Sequence, residues 1–244
     1  GLVIVAGSRA SKDGVMRFSP RLPNDTATLL LIATFIIVLI GLTNSAHDPA
    51  SHHVKTISIV GAGAILAVYA AWLWQYLRTD QAPSGSEGER REVPIALSVV
   101  LLSVAGAASA FVSDWFVHAL TPTIHTLHIS RAFAGLVIVA IAGNAVENVA
   151  GIVLAHKGSA ELAISVVKNS VAQIAAFLYP LLVLVSLLTA TRLTFSLAPV
   201  YIGALFGTAI GVWQITGDGE ATAFEGSALV ATFVILATVA AFEA

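Results

Sequence analysis

A single carboxylate interrupts the apolar run of residues 132–158, AFAGLVIVAIAGNAVENVAGIVLAHKG. At helical spacing Asn144, Glu147, Asn148 and Gly151 fall at i, i+3, i+4 and i+7, which puts a carboxylate, two amides and a bare backbone position on one face. A carboxylate surrounded by apolar atoms is tolerated when it carries a proton or holds a cation, so Glu147 reads as a group that can exchange one for the other. A second segment, residues 164–180 (ISVVKNSVAQIAAFLYP), places Ser165, Asn169 and Gln173 at steps of four and Ser170 three residues before Gln173. The two segments offer carboxylate, amide and hydroxyl oxygens. That is the donor set of a hard cation such as Ca2+, which takes oxygens at roughly 2.3–2.6 Å. With no cysteine in the chain, disulfides and thiolate metal sites are excluded.

The elements that hold these residues follow from composition. Of the 244 residues 57% are hydrophobic and 11% charged, and the mean hydropathy is +0.88, the balance of a membrane protein. Apolar runs long enough to cross about 30 Å of hydrocarbon lie near 27–46, 54–77, 94–120, 131–155, 160–190, 198–216 and 223–242. They are continuous rather than alternating, so they predict helices, and the fold class is an all-α multi-pass transmembrane bundle. The twelve Lys and Arg are scattered among short loops, which excludes a basic nucleic-acid face.

The longest polar stretch, RTDQAPSGSEGERREVP, reads as a linker over 78–93 between a first part, 1–77, and a second, 94–244. A weak repeat relates LVIVAGSRASKDGVMRFSP at 2–20 to LVLVSLLTATRLTFSLAP at 182–199, each followed by two further spans. The second part then holds five helices, and the first holds a helix end plus two. An odd number of helices per repeat forces opposite orientations, the inverted-repeat plan of many secondary transporters. The opening GLVIVAGSRASKDG lacks a basic n-region and reads as the tail of a helix, so the first repeat is expected to be truncated by ~75 residues. Alternation places Arg9, Lys12, Arg17, Arg21, Arg78, Arg90, Arg91 and Lys157 on one side and Lys55, Arg131 and Arg192 on the other, so the linker is expected to be cytoplasmic.

Plainer roles compete for several of these residues. Ser, Asn and Gln in membrane helices often stitch neighbours together, which suits Ser165 or Asn148 taken alone, and Gly203, Gly207 and Gly211 form a small-residue packing stripe. Lys168 either faces the polar stripe, where its charge would favour an ionised carboxylate, or snorkels toward Glu161 seven residues earlier. His47, Asp48, His52 and His53, and likewise His125 and His128, read as solvated loop residues rather than metal ligands. Asp218, Glu220 and Glu225 read as a solvated loop and helix start, with some attraction for cations.

Residues 142–186, from AGNAVENVAG through KNSVAQIAAFLYPLLVLVS, resemble the second signature repeat of the Ca2+/H+ antiporters, the cation exchanger family of the cation/Ca2+ exchanger superfamily. In that family a Gly-Asn-Ala-x-Glu helix and a later Ser-x-x-Gln-Ile helix line the ion site. The SDWF segment and the closing GDGEATAFEGSALVATFVILA also look like the family's second half. The resemblance implies that Glu147 is the exchanging carboxylate and metal ligand, that Asn144 and Gln173 help to line the site, that Ser170 belongs to the same repeat, and that Asp114 is an accessory acid. Asn148 stands where the family commonly has His, and Lys168 and Asn169 stand where it usually has an aliphatic residue and Gly.

The function expected is secondary antiport of Ca2+, or a similar divalent cation, against H+, in the cell membrane or a vacuolar-type membrane. No enzyme activity and no cofactor is expected beyond the transported ions. The expected partners are Ca2+, H+, the lipid bilayer and the absent N-terminal repeat of the same protein, with no nucleic acid. A Na+/Ca2+ exchanger of the same superfamily is the near alternative, although those resemble Gly-Thr-Ser-x-x-Glu in this helix where this chain has GNAVEN. A non-transporting membrane scaffold is a further alternative. A membrane-embedded hydrolase would need a nucleophile and base pair or a metal triad; no HExxH occurs, and Glu147 has no His within one helical turn.

Overall fold

In lipid the backbone must satisfy its own hydrogen bonds, and the chain does so by helix formation along nearly its whole length. The computed structural model describes residues 1–78 and 94–243. The expected linker over 78–93 therefore lies, apart from Arg78, outside the described residues. The elements are α1 (Leu2–Ala10), β1 (Val15–Arg17), α2 (Arg21–Ser45), α3 (Val54–Arg78), α4 (Ile95–Leu127), α5 (Arg131–Gly143), α6 (Ala145–His156), α7 (Ala160–Leu188), α8 (Pro199–Thr216), β2 (Glu220–Thr222) and α9 (Ala223–Ala241). Among the described residues six helical stretches are long and apolar enough to cross a bilayer, and α5 with α6 would count as a seventh if the two pieces are taken together. The protein is a multi-pass integral membrane protein.

Two differences from the expected spans have clear causes. Residues 220–222, expected as loop and helix start, pair antiparallel with 15–17 in the register Val15↔Thr222, Met16↔Ala221 and Arg17↔Glu220, so a two-stranded clip joins segments about 200 residues apart. Long-range pairing of this kind leaves no local periodicity to read. In α7 the turns over Gln173–Leu178 widen to π geometry just before Pro180. Proline lacks an N–H and its ring crowds the carbonyl four residues back, and the wider turn absorbs both.

The chain divides into two compact units, Gly1–Arg78 with Gly143–Leu236, and Thr79–Ala142 with Ala237–Ala244. In the second, α4 buries none of its residues and ends on His128 in the left-handed region (φ 52°). Ser130 then caps α5 by accepting from the Phe133 N–H at 2.8 Å, while its hydroxyl donates to the Ala240 carbonyl.

The first unit is organised around α2 and α8, which pack antiparallel. Near the start of α2, Asn24 Nδ2 donates to the Gly217 carbonyl at 3.0 Å and Trp213 Nε1 donates to Asn24 Oδ1 at 3.2 Å. Near its end, Asn44 Nδ2 donates to Ser196 Oγ at 3.4 Å. The segments leading into the two helices, Phe18-Ser19-Pro20 and Phe195-Ser196, are anchored alike. The Phe18 N–H donates to the Gly219 carbonyl at 2.9 Å, and the Phe195 N–H donates to Ser58 Oγ at 3.2 Å. Leu29, Ile36, Ile40, Ile65, Tyr69, Ala176, Val183 and Phe195 form one core; Val3, Met16, Phe18, Ala155 and Ile164 belong to a second beside the clip.

Lipid removes the hydrophobic drive between helices, so close contact decides their association. A Cβ on Gly61 would run into Ile36 Cδ1 of α2, whereas one on Gly63, on the same helix, meets nothing within 4 Å. Gly61→Leu is therefore expected to destabilise the protein by about 1–3 kcal/mol through overpacking. Gly63→Leu is the matched control, and equal thermal midpoints for the two variants in detergent would refute the α2–α3 contact.

The clip carries a pH signature. Arg17 donates to Asp13 at 2.5 Å and to Glu220 at 3.1 Å, all three side chains being more than half exposed. The Arg17 hydrogen bond, with help from the Val15 N–H, holds the Asp13 carboxyl below its ordinary value of 3.8. A depressed folded-state value means that the contribution is present in full above the unfolded value and is lost as pH falls below it. The stability difference between parent and Asp13→Asn should therefore shrink when denaturant midpoints are compared at neutral pH and below pH 3.8. A constant difference would show that the pair contributes nothing.

Candidate functional site

Asn144 is where the fourth apolar run breaks. Its φ of −112° and ψ of 22° leave the helical region, so the expected uninterrupted stripe becomes a helix end followed by a new helix start. Asn144 occupies the N-cap position of α6, and its carbonyl accepts the Asn148 N–H at 2.9 Å. Its side chain does not cap the helix; Oδ1 instead accepts from Ser170 Oγ of α7 at 3.2 Å. Glu147 follows in the first turn of α6, where the unpaired N–H groups and the positive end of the helix dipole complement negative charge.

The two helices are held together by a tight connection. Gly158, at φ 81°, takes a left-handed conformation that a side chain would strain, and the Ser159 N–H returns to the Leu154 carbonyl at 2.9 Å. Within the pair, Gly151 supplies contact rather than a ligand. A Cβ there would lie 3.0 Å from Val167 Cγ2 and 3.1 Å from Val3 Cγ2, so its bareness lets α7 and α1 approach.

The polar residues expected at the site are thus brought together in part. Asn144 and Ser170 touch across the helix pair. Glu147 is half-buried, and among the described residues no side chain hydrogen-bonds or ion-pairs with its carboxylate. Asn169 and Ser165 are half-buried, while Asn148 and Gln173 are exposed, Gln173 opening the π turns of α7. Asp114 belongs to the other unit, on α4, where its carboxylate lies 3.5 Å from His118 Nδ1 and both side chains are more than two-thirds exposed.

Lys168 is the main correction. It lies two residues before Ser170, about 200° around the helix, and so points away from Asn144. It does not reach toward Glu161 either; that carboxylate accepts the Ser19 N–H at 2.7 Å, and no ion pair joins it to Lys168. Lys168 is instead 6% exposed, with Nζ donating to Thr216 Oγ1 of α8 at 2.9 Å. Thr216 is 48 residues distant and had no signal in the sequence. In the histidine loop Asp48 caps a short 3-10 turn by accepting the Ala50 N–H at 2.8 Å, and among the described residues no group of three or more His, Asp or Glu could hold a metal ion.

Chemically, the arrangement offers one carboxylate near a helix N-terminus and an amide–hydroxyl pair a turn before it and across from it, inside membrane-spanning helices. Such a group can bind a proton or share a cation with neutral oxygens.

The chain is similar to known proteins in sequence and in fold. The sodium/calcium exchanger protein family matches residues 97–242. The vacuolar calcium ion transporter of Schizosaccharomyces pombe is 31% identical over 217 residues, covering 86% of this chain and 52% of its own length. The Ca(2+)/H(+) antiporter ChaA of Bacillus subtilis is 30% identical over 158 residues, covering 65% of this chain and 45% of its own length. The chain thus spans about half the length of these curated relatives. Among solved structures, native YfkE superposes with a TM-score of 0.75 at 25% identity, over 99% of this chain and 71% of that one.

The cross-helix bond makes a local prediction. Ser170→Ala should destabilise the helix pair by about 0.5–1.5 kcal/mol, while Ser165→Ala, which loses no such bond, should stay within about 0.5 kcal/mol of the parent. A double-mutant cycle of Ser170→Ala with Asn144→Ala that shows no coupling would refute the contact.

Proposed function

Because the chain belongs to the sodium/calcium exchanger protein family, we propose that the full-length protein carrying it exchanges Ca2+, or a similar divalent cation, for H+ across a membrane. The observation that carries this reading is the lone Glu147 carboxylate beside the Asn144–Ser170 pair within the spans. Relatives named as calcium transporters and Ca(2+)/H(+) antiporters support it, and they favour H+ over Na+ as the counter-ion.

In this reading Glu147 is the exchanging group. Protonated, it is neutral and compatible with its partly buried setting. A divalent cation displaces the proton and takes the ionised carboxylate, with Asn144 Oδ1 and Ser170 Oγ as neutral ligands beside it; Gln173 joins from the first π turn. One carboxylate does not balance a divalent charge removed from water. The remaining charge is supplied by the rest of the full-length protein, in the opposing repeat across the pseudo-two-fold axis. Asn148, Asn169 and Asp114 serve as accessory polar groups, and no cofactor takes part. Exchange then needs no covalent chemistry, because proton and cation compete for the same oxygens.

Glu147→Gln keeps the side-chain volume but cannot release a proton or carry charge. In vesicles of the full-length protein it should reduce Ca2+ uptake driven by an imposed pH gradient to background, with the folded fraction unchanged. Parent-like uptake would overturn the assignment. Uptake by the parent driven by a Na+ gradient and not by a pH gradient would favour the sodium-coupled alternative.

A further inference from the structure

Lys168 places an ammonium inside a membrane-spanning helix, where an apolar side chain of similar length would pack at less cost. Among the described residues no carboxylate lies within ion-pair distance of it. Its partner is Thr216 Oγ1 at 2.9 Å, and that hydroxyl donates in turn to the Val212 carbonyl at 2.7 Å. Thr216 is the last residue of α8, 2% exposed, so the ammonium sits at the negative end of that helix, where the final carbonyls offset part of its burial.

This helix end is a fixed point. Asn24 holds the Gly217 carbonyl and the Trp213 indole, Phe18 holds the Gly219 carbonyl, and the β1–β2 clip follows at once. In α7 the regular hydrogen-bond ladder runs through Lys168 and Ser170 and changes to π geometry five residues after Lys168, so the register of the turns beyond is not set by the α-helical period alone. Ser170 lies between the anchor and the π turns, on the opposite side of the helix from Lys168.

We propose that Lys168 is a positioning residue of the ion site: its bond to Thr216 sets the rotation of α7 against the fixed end of α8, and so holds Ser170 against Asn144. The inference rests on the functional reading above. It differs from simple stitching of two helices in what it predicts. A stitch affects how much protein folds, whereas a rotational anchor affects how well the folded site takes its cation.

The test uses the full-length protein in vesicles, with Lys168→Met, Thr216→Val, Thr216→Ser and the Lys168→Met/Thr216→Val double variant. Ca2+ uptake driven by a pH gradient is measured as KM and as Vmax per folded protein, together with the thermal midpoint. Lys168→Met and Thr216→Val should each raise KM about fivefold or more at unchanged Vmax. Thr216→Ser, which keeps the hydroxyl, should retain the parent KM, and the double variant should be no worse than either single one. A parent-like KM in Thr216→Val overturns the proposal even if Lys168→Met fails to fold, as do additive effects or a loss confined to the thermal midpoint. Glu147→Gln run alongside separates the two ideas. If it abolishes uptake while Thr216→Val is parent-like, the anchor alone is wrong; if it leaves uptake intact, or the parent shows no uptake, the functional reading fails and the anchor with it.

Discussion

No water reaches the hydrocarbon core of a bilayer, so each backbone N–H and C=O there must find its partner inside the protein. The long helices of this chain are the general answer to that constraint, and its candidate site lies where the answer is incomplete. At Asn144 one helix stops and another starts, so the first turn of α6, which carries Glu147, lies at the positive end of a helix. The π turns of α7 are a second relaxation, set by Pro180. Backbone irregularity at membrane depth is tolerated where it is covered by protein or serves a polar cavity, and here both irregularities flank the same oxygen donors.

With no hydrophobic force to gather helices in lipid, proximity has to come from small residues and polar contacts. Gly41 and Gly61 each admit an isoleucine from a neighbouring helix where a Cβ would collide, and at Gly151 a Cβ would press on two valines. Asn24, Asn44 and Ser58 supply the polar contacts at the two ends of α2 and α8. The antiparallel helix pair therefore reads as the frame. α7 hangs on it through the Ser19–Glu161 bond and through Lys168 and Thr216, while Gly151 joins α6 to α7 and α1.

Much of this was legible in the sequence for a physical reason: a bilayer imposes one length scale and one polarity rule on every span. The runs at 27–46, 54–77, 160–190, 198–216 and 223–242 correspond to helices whose ends fall within six residues of those limits. The run at 131–155 was legible as apolar but not as broken, because a helix interruption at an Asn leaves the hydropathy unchanged. Gly151 was legible as a bare position on this helix, but what it meets was not. Periodicity puts it on the face of Glu147, but the residues that fill the space above it, Val3 and Val167, belong to other elements.

By itself the sequence determined that the chain spans a membrane in helices, that an acid lies within one of them, and which amides and hydroxyls share its segment, since hydropathy and residue type are local properties. Tertiary structure alone decided which of those oxygens meet: Ser170 reaches Asn144, while Gln173 and Asn148 stay exposed. It also decided that Lys168 turns its charge to Thr216, and that residues 15–17 pair with 220–222. These outcomes depend on how one helix is rotated against another and on contacts between segments 26 to about 200 residues apart. A helical period leaves them open, because it says which side chains share a face but not what that face meets.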